Sequence, residues 1–98
     1  MLNRQSIIQT LRRNTSRFEQ LGVRNIGLFG SYVRDEQRPD SDIDLFVAFE
    51  KGGECFENYM ALYDLLEQVF APYRIELVSE NSLSPYIGPH ILKEVCYA

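Results

Sequence analysis

Ninety-eight residues, 45% hydrophobic and 24% charged, suffice for one domain (residues 1–98) with a single modest core. A net charge of −4 and an isoelectric point of about 4.9 argue against direct nucleic-acid binding, which calls for a basic face. No apolar run is long enough to span a bilayer and no signal peptide opens the chain, so a cytoplasmic protein with free thiols at Cys55 and Cys96 is expected. With His90 the only histidine and the cysteines far apart, a zinc site is not expected.

Met1 to Leu21 reads as one amphipathic helix, with Ile7, Ile8, Leu11, Phe18 and Leu21 on a stripe and Gly22 as its C-cap. Arg4, Arg12, Arg13, Arg17 and Arg24 read as a solvated face, the alternative being an arginine surface for an anionic or protein partner. Val23 to Phe29 is the first strand, Ser31 to Gln37 a short helix, and Arg38 to Ser41 a loop. Ile43 to Phe49 is apolar on both faces after Asp44, which predicts a central strand covered on both sides.

Lys51 to Glu54 breaks the chain. Phe56 to Phe70 then reads as a long helix burying Phe56, Tyr59, Met60, Tyr63, Leu66 and Phe70, ended by Ala71-Pro72. Arg74 to Ser79 is a third strand, with Ile75, Leu77 and Ser79 facing one way and Glu76 and Val78 the other. After it, either Ser84-Pro85 opens a helix or a turn leads into a helix from about Gly88. The order α-β-α-β-α-β-α predicts an α/β (α+β) fold, a small mixed sheet of three or more strands covered by helices.

The chemistry concentrates in Gly30 to Asp44, GSYVRDEQRPDSDID. Gly30 permits a sharp turn and a close approach, and Ser31 stands where a helix N-cap would attract an anion. Asp42 and Asp44 are two residues apart, which puts both carboxylates on one strand face with Cα atoms roughly 6.6 Å apart. Their oxygens only accept, which suits a hard cation. A phosphate cradle facing a carboxylate pair is what a magnesium-dependent nucleotide site needs. An EF-hand reading of Asp40, Asp42 and Asp44 fails, because Leu45 and Lys51 stand where glycine and glutamate are required.

Gly-Ser, ten residues, then Asp-x-Asp also resembles the signature of the DNA polymerase beta-like nucleotidyltransferase superfamily in its minimal (MNT) form. The resemblance covers nearly the whole chain and implies the nucleotidyltransferase palm. It implies a third carboxylate on a neighbouring strand. The matching residue is Glu76, a glutamate where the family usually has aspartate, with metal ligation and general-base action both open. It further implies ATP as nucleotide donor and Mg2+ held by Asp42, Asp44 and Glu76, with Gly30 and Ser31 receiving the phosphates. Arg34 is either a phosphate ligand or a surface residue, and Tyr32 is read as packing.

Stand-alone proteins resembling this one are commonly antitoxins that transfer AMP to a tyrosine of a HEPN ribonuclease toxin. That is the leading expectation. Its alternatives are an antitoxin acting by occlusion alone and a nucleotidyltransferase for small molecules. Base preference, the number of AMP units and the homo- or hetero-oligomeric state stay open.

Overall fold

A computed structural model describes residues 2–98. The N-terminal segment is two helices, α1 (Arg4–Arg13) and α2 (Thr15–Gln20), where the sequence pattern predicted one. Met1 of that predicted helix lies outside the described residues. Asn3 starts α1 through a reciprocal capping box with Ser6. Asn14 interrupts the helix at φ −105° and ψ 12°. Its side chain donates to the Thr10 carbonyl at 2.8 Å, and the Thr15 hydroxyl donates to the Arg12 carbonyl at 2.8 Å. Such local side-chain bonds offer the backbone an alternative to the helical ladder. The apolar stripe survives the break: Ile7, Ile8, Leu11 and Phe18 are all buried.

Strands β1 (Val23–Phe29) and β2 (Ile43–Phe49) have the predicted bounds, as does helix α3 (Phe56–Phe70). β3 (Ile75–Ser79), α4 (Gly88–Glu94) and β4 (Cys96–Tyr97) complete the chain, with one 3-10 turn at Glu80–Ser82. The order is therefore two helices, two strands, helix, strand, helix, strand, not the strict alternation expected. β4 was missed, because two residues are too few to show an alternation. Gly27 makes room for it: a Cβ there would lie 2.8 Å from Val95 and 2.9 Å from the Cys96 carbonyl oxygen.

The four strands form one mixed sheet in the order β3-β2-β1-β4. β1 runs antiparallel to β2 and β4, whereas β2 and β3 are parallel and joined through α3. β2 is central, as its unbroken apolar run predicted. Ile43, Leu45, Val47 and Phe49 pack under Ile7, Leu11, Phe18, Leu62, Leu66 and Phe70 from α1, α2 and α3. The opposite face carries, among the described residues, a smaller cluster of Phe46, Ala48 and Ile91, with Phe29, Leu83 and Val95 packed against them.

Two members of the expected α3 core stand outside it. Phe56 is 79% exposed and Met60 is 38% exposed. At about 100° per residue Met60 is turned about 120° from Leu66, and Phe56 combines an offset of about 80° with a place in the first turn. Leu62, which the predicted stripe omitted, is fully buried in their stead.

Candidate active site

β1 ends at Phe29, whose partner across the antiparallel ladder is Asp44. The next residue, Gly30, takes φ 80°, a left-handed conformation that side chains disfavour. A Cβ on Gly30 would sit 2.0 Å from Asp44 Oδ2 and 2.9 Å from its Cγ. The glycine is thus what allows the Asp44 carboxylate to lie directly against the turn.

The turn itself corrects the predicted helix over Ser31 to Gln37. The Val33 and Arg34 N–H groups donate to the Gly30 carbonyl at 3.1 and 3.3 Å, and Glu36 N–H donates to the Ser31 carbonyl at 2.9 Å. Asp35 then adopts φ 58° and ends the winding after a single turn. Tyr32 drives its ring into the main core at 3% exposure, which agrees with its reading as packing. Arg4 Nη1 donates to the Val33 carbonyl at 3.3 Å from the α1 side. Gly30 and Ser31 are therefore presented by an anchored backbone turn, with no helix N-terminus behind them.

Asp42 immediately precedes β2 and Asp44 lies within it. Parallel pairing sets Asp44 level with Glu76 of β3. Glu76 is exposed between buried Ile75 and Leu77, the alternation read from its sequence. Two carboxylates thus come from adjacent strands and a third from the residue entering β2, with Gly30 on the far side of Asp44. Burial pushes the half-buried Asp44 carboxyl up to about 7, with the Glu76 carboxylate and then Asp42 adding to the shift, while Arg34 opposes it.

Asp42 Oδ1 is buried and accepts no hydrogen bond. Arg74 Nε lies 3.1 Å from that oxygen as an ion-pair partner, from a side chain that is itself mostly exposed. Among the described residues, no three His, Cys, Asp or Glu side chains are gathered as a ready metal-binding group. The donor set nonetheless fits a hard divalent cation, through a carboxylate oxygen that accepts no hydrogen bond and a carboxyl crowded by like charges. An open groove runs beside Asp42, lined by Tyr63, Glu67, Tyr73 and Arg74.

Arg34 is an exposed side chain tied to two glutamates. Its Nε donates to Glu36 Oε1 at 2.7 Å, and its Nη1 donates to Glu94 Oε1. Those bonds, Glu36 first, raise its already high pKa. Glu94, the last residue of α4, also accepts from the Gly30 N–H through Oε2 at 3.3 Å. Sequence reasoning missed Glu94. It lies 64 positions from Gly30, and no local pattern marks it.

The chain matches the family model described as "Polymerase beta, Nucleotidyltransferase" over residues 5–96. It belongs to the polymerase beta nucleotidyltransferase family and has the minimal nucleotidyltransferase fold. It is 42% identical over 79 residues to the protein adenylyltransferase MntA of Thermococcus cleftensis, covering 81% of this chain and 78% of that one. A solved "Structure of putative minimal nucleotidyltransferase" superposes with a TM-score of 0.81 at 30% identity, covering 97% of this chain and 95% of the other. A crystal structure of a toxin–antitoxin with AMP-PNP matches with a TM-score of 0.56 at 26% identity, over 98% of this chain and 72% of that one.

Proposed function

We propose that this nucleotidyltransferase is an antitoxin that transfers AMP from ATP to a hydroxyl, a tyrosine, of a partner HEPN ribonuclease toxin and thereby silences it. The observation that carries the reading is the placement of Asp44 between the Gly30 turn and Glu76, with Asp42 one strand-step away. The relative named as a protein adenylyltransferase and the toxin–antitoxin with AMP-PNP support the acceptor class and the donor. Free thiols at Cys55 and Cys96 suit a cytoplasmic site of action.

In this reading Gly30, Ser31 and Arg34 bind the triphosphate of ATP. Asp42, Asp44 and Glu76 would hold Mg2+, which neutralises phosphate charge and acts as a Lewis acid. Gly30 keeps Asp44 and the phosphates in contact range. The exposed Glu76 carboxylate would take the proton of the acceptor hydroxyl as the hydroxyl oxygen bonds to the alpha-phosphorus and the bond to pyrophosphate breaks. A second reading, neutralisation by occlusion alone, is favoured by one observation: the Arg74 guanidinium already engages Asp42, where a cation would be needed.

Intact-mass analysis of the HEPN toxin after incubation with this protein, ATP and magnesium separates the two. One or more added AMP units are expected, and none with the Asp42→Ala, Asp44→Ala double variant. No added mass, with the toxin still neutralised by both proteins, refutes the transferase reading in favour of occlusion.

A further inference from the structure

The Glu94 carboxylate occupies a position that the proposed reaction reserves for phosphate. Its two oxygens accept from the Gly30 N–H and from Arg34, two of the groups assigned above to the triphosphate. Its own helix does not favour it there, since a carboxylate at a helix C-terminus faces the negative end of the dipole. The Gly30 contact is long at 3.3 Å, and Arg34 keeps a second partner, Glu36 at 2.7 Å, if Glu94 departs. The Glu94 side chain is 21% exposed, so a route to solvent exists. A triphosphate and this carboxylate carry charge of the same sign and compete for the same donors.

We infer that Glu94 is a built-in anion that fills the phosphate cradle until ATP displaces it, and so sets how tightly ATP is held. The inference rests on reading Gly30 and Arg34 as phosphate ligands. Glu94 is a positioning residue here, because it acts through those two groups and contacts no reacting atom. An occupied cradle lowers apparent affinity by the fraction of molecules in which it is open.

Calorimetric titration of ATP with magnesium, and of inorganic tripolyphosphate, into the wild-type protein and Glu94→Gln tests this. Glutamine keeps the shape and removes the charge. Dissociation constants for both ligands are expected to fall about fivefold. KM for ATP should fall in parallel while kcat changes less than about twofold. Glu94→Ala should shift binding in the same direction. Glu36→Gln, which frees Arg34 but leaves Glu94 on the Gly30 N–H, should tighten binding less than Glu94→Gln, and an equal gain would assign the effect to Arg34 alone and overturn the role of Glu94. Unchanged or weaker binding by Glu94→Gln, with the wild type binding normally, overturns the inference and makes Glu94 a structural clamp. Failure of every variant and of the wild type to bind tripolyphosphate refutes instead the underlying assignment of the cradle.

Discussion

The two faces of the central sheet are built on opposite terms. On one, β2 contributes Ile43, Leu45, Val47 and Phe49 to a continuous apolar layer under α1, α2 and α3. On the other, the same strand begins with the half-buried Asp44 and continues through Phe46 and Ala48 under the short α4. Stability is concentrated on the first face. The charged groups gather on the second, where a thin cover leaves room for a ligand to approach. One strand serves both because its side chains alternate.

The sharpest way to probe that division is to remove equal bulk from each face. Leu66→Ala on the thick side is expected to cost about 3–4 kcal/mol, and Ile91→Ala on the thin side about 2 kcal/mol. Urea denaturation measures both, and equal losses would erase the asymmetry in cover.

Gly30→Ala is expected to cost about 2 kcal/mol, since the new methyl meets both a left-handed backbone and the Asp44 carboxylate. Adding Asp44→Gly should recover part of that loss. Additive losses in the double variant would show that the carboxylate does not press on the turn.

The smallest effect is a pH dependence confined to the thin face. In the metal-free protein Asp44 keeps its proton to about pH 7 when folded, against an ordinary value of 3.8 for the unfolded chain. The folded state then binds more protons between those limits. This contribution is complete below about pH 4 and is lost as pH rises through 7. After solvent screening its size is on the order of 1 kcal/mol. Asp44→Asn should flatten the slope between pH 5 and 8 in denaturant melts, and an unchanged slope would assign it to another group.

What could be read in advance follows the range of the interactions. β1, β2 and α3 were legible to the residue because alternation, helical spacing and breakers such as Ala71-Pro72 act over a few positions. Asp42, expected on the same strand as Asp44, lies one residue before that strand, yet near enough to act on the Asp44 carboxyl. The break at Asn14 escaped because two side-chain bonds to backbone overrode a helical pattern. The expected helix after Gly30 shrank to one turn because Asp35 goes left-handed and Tyr32 is drawn into the core. Glu94 and β4 reach the site from the far end of the chain, and only tertiary structure brings them there.

The parallel pairing of β2 with β3 also dictates an order of assembly. Gly30 and Asp42 flank, and Asp44 lies within, neighbouring antiparallel strands joined by residues 30–42, a pairing more local than that of β2 with β3. Glu76 arrives only after α3 has been formed and carried across the sheet, because parallel neighbours demand a long crossover. The carboxylate set is complete only once β3 has paired beside β2, 32 positions further along the chain than Asp44 at Glu76. The third carboxylate is thus delivered by a longer-range pairing than the one that sets Asp44 beside the glycine turn.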